Sequence, residues 1–360
     1  MAIDRITLTR FRNHDTSRLS GTGKLNLLIG ENGAGKTNVL EAISLLAPGR
    51  GLRRAALAEM AEGGTGGFAV TADLDCGDGR EPVRLGTGTS EEKPGKRLVQ
   101  INGAERSAMA LGEWLATAWL TPAMDRLFAD SASARRRYMD RLALALDPAH
   151  ARHAARYEAA LRERNRLLAA DDEADGRWFE SIEAQLAEAG ALLAQGRARL
   201  VDLLAGALAV LPDGPFARPT LAYMPGGAAE AGSLAGELAR HRPRDRAAQR
   251  TLIGPHRDEL EVTLYGTGMP AASCSTGEQK AMLIALTLAH AELAAAGRPG
   301  VLLLDEVAAH LDPIRRAALL ERLRAGAAQA WLTGTELAPF ETVAGEAAVW
   351  RVSNGTVERV

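Results

Sequence analysis

A glycine-rich stretch near the N-terminus has the residue types and the spacing of a phosphate-binding loop. Residues 30–37 read Gly-Glu-Asn-Gly-Ala-Gly-Lys-Thr and fit the pattern G-x-x-x-x-G-K-[ST]. Glycines let successive backbone N–H groups turn toward a phosphate, and the N-terminus of a following helix adds partial positive charge. Lys36 is expected to reach the β- and γ-phosphates, and Thr37 to offer its hydroxyl to magnesium. The residues predicted to bind the nucleotide are Gly30, Glu31, Asn32, Gly33, Ala34, Gly35, Lys36, Thr37 and Asn38.

Two acids near the C-terminus could complete such a site. Asp305 and Glu306 follow the apolar run 301–304, which is typical of a strand in a parallel sheet covered on both faces. If this strand ends beside the phosphate loop, Asp305 can hold magnesium through water. Glu306 can then orient or deprotonate the water that attacks the γ-phosphate. The alternative is an ordinary strand end.

A third stretch predicts a second anion site. Ser275 is well placed to cap the apolar helix predicted over residues 281–293, and Gly277 lets an anion approach the backbone at its N-terminus. A plain helix cap without a ligand explains the same residues equally well.

The elements around the glycine-rich stretch fit this chemistry. Apolar patterns predict strands over residues 3–10 and 25–29, so two strands precede the loop, and a helix follows over 39–46. Short apolar runs within 68–75, 83–85 and 98–101 are separated by glycine-containing turns and predict an antiparallel meander. This order of strand, loop and helix argues against a glycine-rich turn that fits the pattern by chance.

The middle of the chain is predicted to be helical from about residue 135 to 211. Spacings of three and four residues there predict a coiled-coil seam of about four heptads. The stretch 157–168 can pair with the seam across a polar turn at 171–176 to form an antiparallel helical hairpin. The seam residues are Phe179, Ile182, Leu186, Ala189, Leu193, Gly196, Leu200, Leu203 and Ala207.

The chain then returns to strand patterns. A Gly/Pro linker at 212–219 and a basic segment at 240–246 precede the alternating Leu260, Val262 and Leu264. The basic segment is either a solvated face or a nucleic-acid contact. We therefore predict that residues 119–247 form a helical domain inserted into a nucleotide-binding domain made of residues 1–118 and 248–360.

Composition narrows the class of protein. The 360 residues include 43 Lys and Arg against 45 Asp and Glu, a net charge of −2, so any DNA surface must be a local patch. Only two cysteines, Cys76 and Cys274, are present, which favours a reducing compartment. No signal peptide or bilayer-spanning run is recognisable, so we expect a cytoplasmic protein that does not enter the membrane.

The motifs, taken in order, resemble the ABC-type ATPase heads. These have a phosphate loop, a signature that corresponds to Ser275, Gly277 and Gln279, an acid pair, and a D-loop that corresponds to Leu311-Asp312. Within this group the chain is similar to the RecF family of the SMC-like branch, and the similarity covers nearly the whole chain. The matching phrases are Phe11-Arg12-Asn13, the phosphate loop with Asn38, and residues 46–50, 134–140 and 254–260.

The resemblance implies the fold and the mechanism. The fold would be α/β, an ABC-type ATPase head with a mixed sheet, a phosphate-loop core and an antiparallel meander, carrying an inserted α-helical arm domain. ATP and Mg²⁺ would lie between two subunits of a homodimer, and Ser275, Gly277 and Gln279 would contact the partner's γ-phosphate. Asp312 would line the dimer seam, and Arg12 and Asn13 would lie near the nucleotide.

The resemblance also implies a function in repair. The ATP-driven dimer would clamp single-strand gapped DNA, hydrolyse ATP slowly, and assist loading of RecA, with RecO and RecR as partners. DNA contact is expected from scattered arginines among Arg50, Arg53, Arg54, Arg135, Arg136 and Arg137. One alternative is an ABC-type ATPase subunit that couples to a protein partner without binding DNA. Another is a scaffold with degraded catalysis, which the presence of Lys36, Asp305 and Glu306 opposes.

Overall fold

The computed structural model describes residues 2–64, 66–77, 81–170, 176–211 and 214–360. The strands are β1 Ile3–Phe11, β2 His14–Ser20, β3 Leu25–Ile29, β4 Ala69–Leu74, β5 Val83–Ser90, β6 Lys93–Ile101, β7 Ala104–Glu105, β8 Ala116–Leu120, β9 Pro219–Met224, β10 Glu259–Leu264, β11 Gly300–Leu304, β12 Gln329–Gly334, β13 Ala348–Ser353 and β14 Thr356–Arg359. The α-helices are α1 Lys36–Ser44, α2 Ala132–Leu146, α3 His150–Leu168, α4 Gly176–Ala209, α5 Ala231–Ala247, α6 Thr276–Ala294, α7 Pro313–Ala325 and α8 Glu341–Ala344. Short 3₁₀ turns lie at Leu57–Met60, Glu62–Gly64, Ala108–Glu113, Pro122–Met124, Pro255–Arg257, Ala271–Ser273, Ala308–His310 and Ala338–Phe340.

The chain forms two compact units. Unit 1 comprises Met1–Asp125, Asp213–Phe216 and Leu283–Val360, and unit 2 comprises Arg126–Pro212 and Ala217–Met282. Unit 2 extends beyond residue 247, where the predicted inserted domain ends. The assignment of an ATPase head and an arm to these segments stays a prediction.

Unit 1 contains two six-stranded sheets. The first has the order β2-β1-β4-β5-β6-β7, in which every pairing is antiparallel, so the predicted meander is confirmed. The second has the order β14-β13-β3-β12-β11-β8, and only its β13–β14 pairing is antiparallel. Every residue of β8, β11 and β12 is buried, as predicted for the run that precedes Asp305.

Three strands, and not the predicted two, precede the glycine-rich loop. The additional strand is β2, which pairs with β1. Its inward positions include His14 and Ser17, so the apolar alternation that identifies a half-buried strand is missing.

The parallel strands bring the candidate site together. Ile29 pairs with Gly334, and Leu304 pairs with Leu332 and with Leu120, so β3, β12, β11 and β8 end at one edge of the sheet. The loop after β3 and the acids after β11 therefore meet at the carboxyl edge, where open α/β sheets bind ligands.

Unit 2 contains the predicted antiparallel hairpin, formed by α3 and α4. Arg156 pairs with Glu188, and Arg164 with Glu183, as antiparallel helices require. Residues 171–175 of the predicted turn at 171–176 lie outside the described part of the chain, and Gly176 begins α4.

The predicted seam holds only to Leu200. Beyond it, Leu203 is 40% exposed, and the buried positions become Val201, Leu204 and Leu208. A 3.6-residue helix drifts relative to a 3.5-residue repeat, and α4 contacts β9 as well as other helices, so the buried face of α4 turns along its length.

The strand pattern at Leu260 to Leu264 does not rejoin the sheets of unit 1. It forms β10, which pairs with β9 in a separate two-stranded antiparallel sheet. β9 begins at Pro219, at the end of the predicted linker, whose residues 212–213 lie outside the described part. The basic segment 240–246 belongs to α5, which contains Pro243. None of the helices in the described ranges has the length and hydropathy of a bilayer span.

A buried arginine joins three helices of unit 2. Arg164 of α3 is fully buried and contacts Glu183 of α4 at 3.1 Å and Asp245 of α5 at 2.7 Å. Its guanidinium also donates to Thr251 Oγ1 at 2.8 Å and to the Leu238 carbonyl at 2.9 Å. A buried charge is tolerated only with such full compensation.

Removing this guanidinium should destabilise unit 2 strongly. We expect Arg164→Ala to lower the free energy of unfolding by about 3–5 kcal/mol, because Glu183 and Asp245 then lose a buried partner. Urea denaturation followed by circular dichroism measures this loss. The control is Arg166→Ala, since the Arg166–Glu163 pair is on the surface and should matter little. Equal stability of the two variants would contradict the assignment.

Candidate phosphate-binding site

The glycine-rich loop connects the end of β3 to the start of α1. Gly35 caps α1 with a φ of 115°, a conformation that favours glycine. A β-carbon at Gly35 would lie 2.8 Å from both Asn13 Oδ1 and His14 Nε2, and one at Gly30 would lie 2.1 Å from the Val352 carbonyl oxygen. Only glycine fits at these two positions, because the neighbouring atoms leave no room for a β-carbon. The loop leads directly into the N-terminus of α1, which is where anions bind to helices.

Lys36 contacts the loop that precedes it. Its Nζ donates to the carbonyl oxygens of Gly30 at 2.6 Å and Glu31 at 2.8 Å. Burial lowers the pKa of Lys36, while the charges of Glu306 and Asp305 act in the opposite direction. The ammonium group is thus held by the loop carbonyls, within range of the charges of the acid pair.

Asp305 joins the loop to the acid pair. Its carboxylate accepts hydrogen bonds from Thr37 Oγ1 at 2.9 and 3.1 Å and from Thr333 Oγ1 at 2.8 Å. The backbone N–H of Glu306 donates to the same Thr333 hydroxyl at 2.8 Å. A hydroxyl and a carboxylate are hard oxygen donors, and Mg²⁺ takes only one or two such protein ligands, so this pair fits the ion.

Arg12 and Asn13 have different surroundings. Asn13 Nδ2 donates to the Ala34 carbonyl of the loop at 3.1 Å, and Asn38 Nδ2 donates to Asn13 Oδ1 at 2.7 Å. Arg12 instead forms a bidentate pair with Glu41 of α1 at 2.8 and 2.9 Å. Asn13 thus supports the loop directly, whereas the guanidinium of Arg12 is engaged by a carboxylate.

Glu41 was not predicted from sequence as a site residue. It is fully buried and also contacts Arg53 at 3.0 Å, so one carboxylate faces two guanidinium groups. The available signal was an acid within the apolar run at residues 39–43 that follows the phosphate loop. Arg53 Nη1 donates further to Asn38 Oδ1 at 2.6 Å, which links Glu41 back to the loop.

His14 and the C-terminal turn form a second support that the sequence did not reveal. His14 Nε2 lies 3.1 Å from the Gly35 carbonyl oxygen, and Nδ1 lies 2.9 Å from Ser17 Oγ. Ser17 donates to the Gly355 carbonyl at 2.9 Å, and Gly355 N–H donates to the Ala34 carbonyl at 3.0 Å. The turn between β13 and β14 thus holds the loop from behind, although it lies near the opposite end of the chain.

The predicted signature residues lie in unit 2. Ser275 and Glu278 form a capping box at the start of α6, in which Ser275 N–H donates to Glu278 at 2.8 Å and Glu278 N–H donates to Ser275 Oγ at 3.3 Å. Gln279 Nε2 donates to the Cys274 carbonyl at 2.9 Å, and a β-carbon at Gly277 would meet open space. The cap is therefore present, whether or not an anion binds there.

Asp312 lies in unit 1 and caps α7. Its carboxylate accepts from Arg315 N–H at 2.9 Å, and the side chain is about half exposed. Within the described residues no cluster of three or more His, Cys, Asp or Glu side chains could hold a metal ion. The Thr37–Asp305 pair is a different arrangement, since one of its two groups is a hydroxyl.

Comparison with known proteins places this chain in a family. The family model of the RecF/RecN/SMC N terminal domain matches residues 2–356. A protein named DNA replication and repair protein RecF from Mesorhizobium japonicum is 50% identical, with 99% of this chain and 97% of the relative covered. The protein of the same name from Brucella suis is 46% identical over 99% of this chain and 95% of its own length.

Solved structures show the same fold. The recombination mediator protein RecF with ATPrS, in the RecFOR pathway, superposes with a TM-score of 0.88 at 23% identity, covering 99% of this chain and 98% of that one. The corresponding RecF-ATP structure has a TM-score of 0.87 at 24% identity, covering 100% and 97%. An Smc head domain from Pyrococcus furiosus has a TM-score of 0.53 at 15% identity, covering 100% and 96%. The α/β fold of an ABC-type ATPase head is therefore confirmed.

The support from His14 should make stability depend on pH. Burial lowers the pKa of His14 below its usual value of about 6.5, although the contact with the Gly35 carbonyl acts in the opposite direction, so at and below about pH 6.5 the unfolded chain binds more protons than the folded chain. The His14 contribution is fully present above about pH 6.5, and we expect it to fall as the pH drops, by at most about 1.4 kcal/mol per pH unit. Urea denaturation between about pH 5 and 8 should show a shallower dependence for His14→Gln. An unchanged pH dependence in that variant would mean that folded His14 protonates freely.

Proposed function

The chain belongs to the RecF family, and on that premise we propose that it is an ATP-dependent DNA-binding protein of recombinational repair and replication restart. One observation carries the ATPase part of the proposal, namely the 2.9 Å hydrogen bond from Thr37 Oγ1 to Asp305, which joins the phosphate loop to the acid pair. The name of the curated relatives and the nucleotides in the related RecF structures agree with it.

The chain's own residues then divide the chemistry of ATP hydrolysis. The backbone N–H groups of residues 30–37 and the ammonium group of Lys36 bind the β- and γ-phosphates. Thr37 would hold Mg²⁺ directly and Asp305 would hold it through water, and the bound ion would supply positive charge at the phosphates. Glu306 orients the attacking water and accepts its proton. Hydrolysis is slow and acts as a switch.

A second copy of the chain completes the site. Ser275, Gly277 and Gln279 at the start of α6 contact the γ-phosphate held by the partner, and Asp312 lines the seam between the copies. The capping box agrees with this role, because Ser275 Oγ stands at a helix N-terminus, where anions bind. The homodimer forms when ATP binds and opens after hydrolysis.

DNA is the macromolecule that this dimer is proposed to bind. The dimer clamps DNA at single-strand gaps and assists RecA loading in the cytoplasm, with RecO and RecR as partners. The related structures, which are described as belonging to the RecFOR pathway, support this assignment.

The proposed DNA contacts narrow to two arginines. Arg53 pairs with Glu41, and Arg135 forms a bidentate pair with Glu259 at 2.7 and 2.9 Å, so carboxylates engage two of the six candidates. Two more donate hydrogen bonds to uncharged groups, namely Arg136 to the Asp258 carbonyl and Arg137 to Ser133 Oγ. Arg50 and Arg54 are exposed, and neither has a side-chain hydrogen bond or an ion pair with the described residues. Arg97 donates to the Gly49 carbonyl at 2.6 Å, which anchors the segment that presents them.

Sedimentation velocity with a labelled gapped duplex tests the clamp. We expect the DNA to travel with a dimer only when ATP and Mg²⁺ are present. Glu306→Gln should bind ATP and keep the dimer closed, because the water is no longer deprotonated, and Lys36→Met should prevent dimerisation. If ATP forms the dimer but DNA stays free at low salt, the ATPase assignment stands and the DNA function is wrong. Unchanged turnover in Glu306→Gln would exclude Glu306 as the base.

Salt dependence of DNA binding tests the two arginines. Replacing Arg50 and Arg54 by alanine should reduce the slope of log affinity against log salt by about one for each DNA phosphate that the variant no longer neutralises. Fluorescence anisotropy over a salt series measures the slope. Arg166→Ala removes an exposed arginine from unit 2 and is the matched control. An equal slope in all variants would show that DNA binds elsewhere.

A further inference from the structure

We infer that Thr333 is a positioning residue that sets the geometry of both acids at the ATPase site. The inference rests on the proposed function, because it assigns to Thr333 an effect on metal binding and hydrolysis. Thr333 lies in β12, is 1% exposed, and follows Leu332, which pairs with Leu304 of β11. This register places its side chain beside Asp305 and Glu306, the two residues that follow β11.

The direction of each hydrogen bond follows from the groups involved. An ionised carboxylate can only accept, so the Thr333 hydroxyl donates to Asp305 Oδ1 at 2.8 Å. A backbone N–H can only donate, so Glu306 N–H donates to the Thr333 oxygen at 2.8 Å. A single hydroxyl thus donates its proton to the carboxylate of Asp305 and accepts the backbone N–H of Glu306. Removing the hydroxyl therefore removes both bonds together.

The bond to Glu306 holds an unfavourable backbone conformation. Glu306 has a φ of 54°, in the left-handed region that residues other than glycine rarely occupy. Such a conformation persists only when the surroundings fix it. The Thr333 oxygen fixes the peptide N–H at this turn, and the turn sets the direction in which the Glu306 side chain leaves the strand.

The bond from Thr333 to Asp305 orients the carboxylate independently of Thr37. Asp305 also accepts from Thr37 Oγ1, but Thr37 is the proposed direct ligand of Mg²⁺. Thr333 is not a proposed ligand, so its bond keeps one carboxylate oxygen in place whatever Thr37 does. The Asp305 backbone is held separately, by donation from its N–H to the Leu120 carbonyl at 2.9 Å. Groups that orient a metal ligand in this way typically change metal affinity or activity about 10–100-fold when they are mutated.

Three substitutions separate the hydroxyl from the packing of the side chain. Thr333→Val removes the hydroxyl and keeps the shape, Thr333→Ser keeps the hydroxyl and removes the methyl group, and Thr333→Ala removes both. Thr335→Val is the matched control, because Thr335 lies two residues further on and is exposed. The measurements are kcat for ATP hydrolysis, the Mg²⁺ concentration at half-maximal rate, ATP affinity without Mg²⁺, and Tm.

We expect Thr333→Val to lower kcat about 10–100-fold and to raise the Mg²⁺ requirement, with unchanged Mg²⁺-free ATP affinity. Thr333→Ser should restore both parameters to near the wild-type values, and Thr335→Val should resemble wild type. If Thr333→Val does not fold, Thr333→Ala must instead show the lowered kcat together with unchanged Mg²⁺-free ATP affinity. Wild-type kcat and Mg²⁺ dependence in the folded hydroxyl-free variant would overturn the inference, as would equal reductions in the serine and valine variants. A wild-type chain that neither binds nor hydrolyses ATP would instead refute the proposed function.

Discussion

The structure of unit 1 depends on one constraint, which is the conformation of the glycine-rich loop between β3 and α1, where Gly33 and Gly35 have positive φ. That conformation needs left-handed glycines and carbonyl groups that are satisfied on the far side of the loop. The Ala34 carbonyl accepts from Asn13 and from Gly355, and the Gly35 carbonyl lies against His14. A β-carbon at Gly355 would lie 1.8 Å from the Asn13 carbonyl oxygen, so these supports also pack against each other. Both ends of the chain are thus needed to shape one short loop.

Charges around the loop are arranged so that each buried carboxylate has donors. Glu41 is fully buried but faces Arg12 and Arg53, and Asp305 faces two threonine hydroxyls. A buried acid without such partners would take up a proton, and it could then neither pair with arginine nor hold a cation. Lys36 lies opposite the acid pair with its pKa lowered by burial. The same contacts therefore stabilise the fold and hold the groups that are proposed to bind phosphate and metal.

Unit 2 uses buried ion pairs for a different purpose. The Gly-Pro-His-Arg-Asp phrase at 254–258, which contributed to the family resemblance, is a structural junction. Asp258 accepts from Arg197 at 2.8 Å, from Tyr223 at 2.5 Å and from Gly226 N–H at 2.8 Å. His256 lies 2.8 Å from the hydroxyl of Tyr157, whose pKa is raised by burial. These bonds connect α3, α4 and β9, so His256 and Asp258 of the phrase hold these elements of unit 2 together.

The sequence by itself determined the features that depend on neighbouring residues. Each of four features follows from the spacing of residues within its own part of the chain. These are the phosphate loop, the apolar strand before Asp305, the helical hairpin and the cap at Ser275. Only the tertiary structure decided that Thr333, and not the exposed Thr335, contacts the acids, and that His14, Glu41 and Gly355 support the loop. It also showed that β10 pairs with β9 in a separate sheet and that the buried face of α4 changes after Leu200. These features depend on the register between strands and helices far apart in the chain, and periodicity within a segment carries no information about its partner.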